Sequence, residues 1–351
     1  MFIFFVHSIV IMSERKLASI QKITEILPIE GADKIVCVKI LGWQCVALKT
    51  EFSVNDKCVF FEIDSVLPIA QWNDHLRKEP NKQLRIKTIR LRGALSQGLA
   101  LPISILPPGE YEVGQDVKQL VGVTKYEPVV PAHLSGMAKG NFPAFLHKTD
   151  ETRLQSEPRV LDEAISKGLV LVGTLKMDGT SFTAYRRDAD FGVCSRNLDL
   201  KETEDNAHWR MARKLKLEEI LRSEPRNLSI QGEMVGPGIQ GNRMGFKEVD
   251  LYLFNLYDID TGKYLSHNEL VEFGKKHNIK VVPNIVQKDF GFGETTTVSK
   301  MLEVASALNY DNGTPAEGIV WRCACETYSE VLKGRMSFKT ISSRFLLKYN
   351  E

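Results

Sequence analysis

One lysine in this chain stands where a nucleophile could be held rigidly. The tetrapeptide Lys176-Met177-Asp178-Gly179 directly follows an apolar stretch at residues 169–175, which predicts a buried β-strand. A lysine at the end of such a strand is carried by a rigid element, and the glycine permits a tight turn and a close backbone approach. An amine held in this way can act as a nucleophile. Taken alone, the tetrapeptide could also be a surface turn.

Further segments with charged or aromatic residues follow this lysine in the chain. In order, they are Ser195-Arg196-Asn197 and the stretches 231–238 (with Glu233), 252–258 (with Phe254), 316–322 (with Glu317) and 337–341 (with Lys339). Taken singly, Glu233 and Glu317 would be solvated carboxylates. Arg196 would be a surface base, and Phe254 would belong to the core. The ordered series is therefore more informative than any one of its members.

This series resembles motifs I, Ia, III, IIIa, IV and V of the covalent nucleotidyltransferases, meaning polynucleotide ligases and mRNA capping enzymes. The N-terminal half further resembles the Deinococcus-type RNA ligases, which have an OB domain at the N-terminus; the segments concerned are 29–33, 89–98 and 148–151. DNA ligases and capping enzymes carry an essential OB domain after motif V. Few residues follow Lys339, so no such domain is expected here.

The resemblance implies an ATP-dependent RNA ligase that works through lysyl-AMP and RNA-adenylate intermediates. Its implied substrates are RNA 3′-hydroxyl and 5′-phosphate ends, expected at nicks in duplexes, and its cofactors are ATP and Mg²⁺ or Mn²⁺. The implied catalytic residues are Lys176, Asp178 and Lys339. Residues implied around the nucleotide are Thr174, Lys176, Gly179, Arg196, Glu233, Phe254 and Lys339, and those around the metal are Asp178, Glu233 and Glu317.

Motif V of the family often has a second lysine two residues after the first, but Ile341 stands there in this chain. The resemblance leaves open whether Lys333 or Lys348 supplies that charge. Further candidates for phosphate binding are Lys148, Arg153, Arg186 and Arg322.

The N-terminal region, residues 13–125, is expected to be an all-β OB-fold barrel that binds nucleic acid. Short strand candidates at 35–40, 44–48 and 58–63 alternate with turn signals, and no helical period separates them. A basic stretch at residues 85–92 predicts a strand with a bulge at Thr88-Ile89. This strand could be a solvated edge or a groove that follows phosphates. Expected nucleic-acid contacts are Arg85, Lys87, Arg90, Arg92 and Lys148.

Residues 126–160 contain several prolines and are expected to link the domains and to enter the second one. Residues 161–351 are expected to form an α+β nucleotidyltransferase domain of the ATP-grasp-like ligase type, with strands at 181–186, 228–234, 251–259 and 318–324. Helices are expected at 206–222, 266–277 and 299–308.

Composition limits the class of protein. The formal net charge of +2 in 351 residues excludes a histone-like protein, so RNA binding requires a local basic surface. Six cysteines without zinc-ligand spacing predict free buried thiols. The apolar segment 1–12 is too short to span a membrane and is expected to be a disordered extension, with organelle import as the alternative to a cytoplasmic or nuclear location. We expect a monomer without membrane partners. A non-catalytic RNA-binding protein, a DNA ligase and a capping guanylyltransferase are the alternative functions.

Overall fold

The computed structural model describes residues 15–127, 136–286, 293 and 295–351. The extension predicted at residues 1–12 lies outside these ranges. Within them, a β-rich N-terminal part precedes a larger α+β part, in the order that the sequence predicts. No helix in the described ranges is long and apolar enough to cross a bilayer.

The N-terminal part consists of short antiparallel strands around one hydrophobic core. Its strands are Ala18–Lys22 (β1), Glu25–Pro28 (β2), Ile35–Ile40 (β3), Trp43–Leu48 (β4), Lys57–Phe61 (β5), Ser65–Leu67 (β6), Leu84–Arg85 (β7), Thr88–Leu91 (β8), Ala94–Gln97 (β9), Leu99–Pro102 (β10) and Thr124–Lys125 (β11). They pair in the orders β1-β5-β10, β2-β3-β4 and β11-β6-β7, and β8 pairs with β9. Trp43, Phe60 and Phe61 are its largest fully buried side chains.

The basic stretch at residues 85–92 forms two strands, so the prediction of one bulged strand was wrong. Between β7 and β8 the chain turns inward, because Ile86 is buried in the core. The backbone of Ile86 bonds both to Asp64 and to Ser65, at 2.8 Å each. Arg85 is thereby separated from the exposed residues of β8.

The second part contains mixed sheets flanked by helices. Its strands are Ala138–Asn141 (β12), Thr152–Arg153 (β13), Leu171–Lys176 (β14), Thr180–Arg187 (β15), Asp190–Cys194 (β16), Leu198–Leu200 (β17), Leu228–Val235 (β18), Asp250–Asp258 (β19), Lys263–Tyr264 (β20), Lys280–Val281 (β21), Asn284–Val286 (β22), Gly318–Cys323 (β23), Tyr328–Ser329 (β24), Gly334–Arg335 (β25) and Ser337–Ile341 (β26). Its helices are Arg159–Ser166 (α1), Ala207–Lys214 (α2), Leu217–Ser223 (α3), His267–His277 (α4), Val298–Ala307 (α5) and Ser343–Tyr349 (α6).

Two sheets of this part carry the predicted motifs. The larger has the order β12-β17-β16-β15-β18-β19-β20, with β21 also paired to β19, and the smaller has the order β13-β26-β23-β14-β22. Each sheet has its own hydrophobic cluster against the helices. The turn between β14 and β15, which contains Asp178, passes from the smaller sheet to the larger one.

One helix and one boundary segment can be compared with the expected elements. The single helix predicted at 206–222 is broken into α2 and α3 at Lys216, whose φ of 54° is left-handed. The region 126–160, which was expected to link the domains and to enter the second one, contributes two strands: β12 joins the larger sheet and β13 pairs with β26.

The two parts share a buried junction. Ile341 in β26 and Leu346 in α6 belong to the hydrophobic core of the N-terminal part. The backbone N–H of Gly42, in the turn between β3 and β4, donates to the carbonyl of Gln155 at 2.9 Å. The N-terminal strands are therefore packed against the same strand, β26, that carries Lys339.

Candidate active site

Lys176, Glu317 and Lys339 lie on or next to three neighbouring strands of the smaller sheet, with Glu317 directly before β23. Lys176 ends β14 and pairs with Gly318 of β23, while Val320 of β23 pairs with Lys339 of β26. Paired residues, and residues two apart along a strand, point to the same face. Lys176 and Lys339 therefore share the face that lines a cavity of about 1270 Å³.

Glycine is required where these strands meet. A Cβ atom on Gly318 would lie 2.1 Å from the carbonyl oxygen of Thr340, and the φ of Gly318 is +150°. On Gly179, a Cβ atom would lie 2.4 Å from the carbonyl oxygen of Met234. The first contact brings β23 against β26, and the second brings the turn after Lys176 against β18. The structure thus agrees with the close backbone approach predicted for Gly179. This approach places the turn that follows Lys176 directly against β18.

The amine of Lys176 forms an ion pair with Glu317, with 2.7 Å between Nζ and Oε2. Burial lowers the pKa of Lys176, but the charges of Glu317 and Glu233 outweigh it, so that the pKa is raised. A raised pKa keeps the amine protonated, whereas a nucleophile must be neutral. The protein alone therefore holds the lysine in place without activating it.

Three carboxylates converge near this amine. Burial raises the pKa of Asp178 to about 7, with the charge of Glu317 adding to the effect. Burial also raises the pKa of Glu233 to about 7, with Glu317 and Asp178 adding to it. One oxygen of Asp178, Oδ2, is buried and accepts no hydrogen bond, and Arg243 lies 3.5 Å from it.

This donor set fits a divalent cation such as Mg²⁺ or Mn²⁺, which prefers carboxylate oxygens. Within the described ranges, however, no three His, Cys, Asp or Glu side chains are close enough to hold a metal by themselves. Mg²⁺ usually keeps several of its waters. Contacts through water are therefore compatible with the carboxylates that are present.

Lys339 faces the carboxylates from a basic wall of the cavity. Burial, assisted by the positive charges of Arg153 and Lys176, lowers the pKa of Lys339 to about 7. Arg153 lies beside it on β13, and its Nη1 atom is buried without a hydrogen-bond partner. Its nearest acid, Asp64 of the N-terminal part, is 3.8 Å away. An anion such as a phosphate would satisfy both cations.

The opposite end of the cavity is apolar and aromatic. Phe254 on β19 is half-buried and packs with Met177, Val235 and Val282. The guanidinium of Arg322 lies 5.4 Å from the centre of its ring. Thr174 lines this region, but its hydroxyl donates to the carbonyl of Val320 at 3.3 Å. A planar base could stack on Phe254 here.

Arg196 and Lys148 lie together at the mouth of the cavity and are exposed. Arg196 pairs with Asp150 at 2.5 Å, and Lys148 donates to the side-chain carbonyl of Asn197 at 3.1 Å. Arg186 is directed elsewhere, since it bonds to the carbonyls of Glu224 and Arg226. The segment 148–151 therefore borders the site, as the sequence predicted for an entry segment.

The four basic residues predicted on the N-terminal strands do not form one surface. Arg85 pairs with Asp64 at 2.7 Å and lies 3.6 Å from the ring centre of Tyr126. Arg85 and Lys87 line the cavity, whereas Arg90 and Arg92 are exposed on the β8–β9 hairpin outside it.

Neither lysine considered as a substitute for the second motif V lysine reaches the cavity. Lys333 pairs with Glu330 on the surface, at 3.3 Å, and Lys348 lies 5.4 Å from the ring centre of Tyr349. Arg153 is the cation that lies beside Lys339 instead. Sequence reasoning also missed Tyr310 and Arg243, whose surroundings in the sequence contain no pattern that marks them.

Comparisons with known proteins agree with this arrangement. A family model described as an OB-fold domain matches residues 17–103, and a model described as RNA ligase matches residues 170–341. A comparison with curated proteins finds no match.

Solved structures of the RNA ligase of Naegleria gruberi are similar over nearly the whole chain. The one with pyrophosphate is 38% identical, with a TM-score of 0.84, and the match covers 96% of this chain and 99% of that one. A mutant with ATP and manganese gives 38% identity, a TM-score of 0.85 and coverages of 96% and 100%. A mutant with AMP and manganese is 39% identical, with a TM-score of 0.83, and the match covers 95% of this chain and 98% of that one. With an OB-fold domain ahead of an RNA ligase domain and this identity across both, the chain belongs to the RNA ligase family and is an ATP-dependent RNA ligase that uses a divalent metal ion.

Proposed function

We propose that this ligase seals breaks between 3′-hydroxyl and 5′-phosphate RNA ends, principally nicks in duplexes during RNA repair. The observation that carries the proposal is the pairing of Lys176 with Glu317 at 2.7 Å, on a cavity face that also bears Lys339. Carboxylates on one side and cations on the other match the needs of phosphoryl transfer, which depends mainly on positioning and charge neutralisation.

In the first step, Nζ of Lys176 attacks the α-phosphorus of ATP. An N–P bond forms, the bond from the α-phosphorus to the bridging oxygen breaks, pyrophosphate leaves, and the amine loses a proton to solvent. Lys339 and Arg153 would contact the phosphates, and Phe254 would stack on adenine. Glu233 would bind a ribose hydroxyl, and Asp178 would orient the amine.

The amine must be neutral to attack, yet its pKa is raised by Glu317 and Glu233. A divalent cation among the carboxylates would neutralise their charge and so favour the neutral amine. The residues available to hold it, through water, are Glu317, Glu233 and Asp178. The same neutralisation would restore the ordinary ionised state of Asp178 and Glu233, whose pKa values are raised to about 7 without it.

In the second step, a 5′-phosphate oxygen of RNA attacks the phosphorus of the lysyl-AMP. A P–O–P linkage forms, the N–P bond breaks, and the amine of Lys176 takes up a proton from solvent as it leaves. In the third, the 3′-hydroxyl loses its proton to solvent and attacks the phosphorus of that 5′-phosphate; a phosphodiester forms, the P–O–P linkage breaks, and AMP leaves. Arg196 and Lys148, at the cavity mouth, would hold the incoming end. Lys87 at the cavity wall and Arg90 and Arg92 on the exposed hairpin would contact the phosphates of the duplex.

We further propose that the enzyme works as a monomer in the cytoplasm or nucleus. Lys176, Glu317 and Lys339 line one cavity within a single chain, so their proposed roles need no residue from a second copy. All six cysteines lie in the described ranges and are free; four are buried as predicted, whereas Cys323 is half-buried and Cys325 is exposed. Free thiols are typical of a reducing compartment. Light scattering of the purified protein and imaging of a tagged full-length chain test these two statements.

The function is tested by incubating the protein with α-labelled ATP or GTP and Mg²⁺ or Mn²⁺. We expect covalent label from ATP, none in the Lys176→Ala variant, and sealing of nicks whose terminal 3′ nucleotides are RNA. Label from GTP alone would indicate capping chemistry, and equal sealing of all-DNA nicks would indicate a DNA ligase. Absence of label with either metal would favour a non-catalytic RNA-binding protein.

A further inference from the structure

Tyr310 connects two residues of the proposed site through its hydroxyl group. The hydroxyl donates to the backbone carbonyl of Lys176 at 3.0 Å and accepts from the backbone N–H of Glu317 at 3.0 Å. Lys176 and Gly318 are the last residues paired between β14 and β23. The phenol therefore joins the two strands at the point where their regular pairing ends.

The surroundings of Tyr310 hold its ring in one position. The side chain is only 4% exposed and packs with Ala316 and Phe345. Its own backbone is closed into a tight loop, with the N–H of Tyr310 donating to Thr314 and its carbonyl accepting from Gly313, both at 2.8 Å. A hydroxyl held this firmly can fix the spacing of the two groups that it bridges.

We propose that Tyr310 is a positioning residue for lysine adenylylation, which holds the backbone of Lys176 and Glu317 so that amine and carboxylate meet. The inference rests on the proposed function of Lys176. Tyr310 does not have to contact ATP or RNA for this role, because it acts on the chain that carries the nucleophile. A displacement of about 1 Å in a reacting group is enough to slow a reaction by roughly 100-fold.

The role predicts an effect on one chemical step. Tyr310→Phe keeps the ring and removes the hydroxyl, leaving the carbonyl of Lys176 and the N–H of Glu317 without this partner. Lysyl-AMP formation depends on the position of Nζ, whereas sealing of RNA that is already adenylated uses the RNA 3′-hydroxyl as its nucleophile. The loss should therefore be concentrated in the first step.

The test measures three quantities for wild type and Tyr310→Phe. They are the single-turnover rate constant of lysyl-AMP formation at saturating ATP, the ATP concentration that gives half of that rate, and the rate of sealing a pre-adenylated nick without ATP. We expect the first to fall about 10- to 100-fold and the other two to change less than about threefold. Tyr111→Phe is the matched control, since it removes a hydroxyl bond of 2.7 Å to the carbonyl of Pro107 in the OB domain.

Three outcomes would overturn the inference. The first is lysyl-AMP formation within threefold of wild type. The second is an equal loss of both steps in Tyr310→Phe, and the third is failure of this variant to fold, since either would mean that the hydroxyl serves the fold in general. If wild type itself forms no lysyl-AMP, the proposed function fails, and this result is distinct from the other three.

Discussion

Gly318 offers a direct test of how closely the strands of the site must approach. In Gly318→Ala, the new Cβ atom would lie 2.1 Å from the carbonyl oxygen of Thr340, where an ordinary contact begins at 3.4 Å. Relief requires β23 and β26 to separate by roughly 1 Å. The φ of +150° at this position is also unfavourable for alanine. Lys339 directly precedes Thr340, so the separation moves it away from Lys176 and Glu317.

We expect this substitution to reduce lysyl-AMP formation by about 100-fold, the usual effect of a displacement of about 1 Å. Overpacking should also lower the free energy of unfolding by about 1 to 3 kcal/mol. The rate is measured in single turnover with labelled ATP and a metal ion, at a temperature where thermal melting shows the variant to be folded. A loss of this size in fully folded protein would be due to displacement within the site.

Gly140→Ala is the matched control. Gly140 also lies in a strand, β12, but a Cβ atom there would meet nothing within 4 Å. We expect wild-type rates and melting from this variant. Lysyl-AMP formation by Gly318→Ala at more than a third of the wild-type rate would refute the argument, because it would mean that the strands tolerate the displacement.

Three further predictions concern stability, phosphate binding and RNA binding. Burial raises the pKa of Glu163, but bonds from Lys167, Ser329 and the backbone of residues 330 and 331 outweigh it and lower the pKa to about 2. Since a lowered folded-state pKa stabilises above the ordinary value of 4.5, Glu163→Gln should cost about 1 to 3 kcal/mol at pH 7. In denaturant titrations, this difference should shrink as the pH falls from 4.5 towards 2; a constant difference would contradict it. Arg153→Ala should slow lysyl-AMP formation at least about tenfold and raise the ATP concentration that gives half of the maximal rate. The same effect from Asp64→Asn would contradict this prediction, because it would mean that the ion pair between Arg153 and Asp64 matters and not a phosphate contact. Arg90→Ala combined with Arg92→Ala should leave lysyl-AMP formation unchanged but weaken nick binding and reduce its salt dependence; an unchanged salt dependence would exclude this hairpin from RNA binding.

The sequence alone was sufficient to predict those structural elements that depend mainly on residues close together in the chain. The apolar stretch before Lys176 predicted β14, because a buried strand needs a run of apolar side chains whatever it pairs with. The same local logic predicted α4 and α5 and the β-rich N-terminal domain. The order of the motif segments was enough to suggest the family, and therefore the residues around Lys176.

Prediction from neighbouring residues failed where contacts with distant parts of the chain determined the secondary structure. The basic stretch at 85–92 was divided because Ile86 enters the core of the OB domain, which the alternation of charges could not reveal. The region 126–160 was predicted as a linker and entry segment, but its residues did not indicate that β13 would pair with β26.

The chemistry of the site was decided only by the tertiary structure. Glu317 and Tyr310 lie more than a hundred residues from Lys176 in the chain, and only the pairing of β14 with β23 brings them together. Because charges interact more strongly when water is excluded, this shared burial also determines the pKa values near 7 of Asp178, Glu233 and Lys339. The sequence determines which residue types are present, but the distances between these side chains and their exposure to water are determined only when the strands pair.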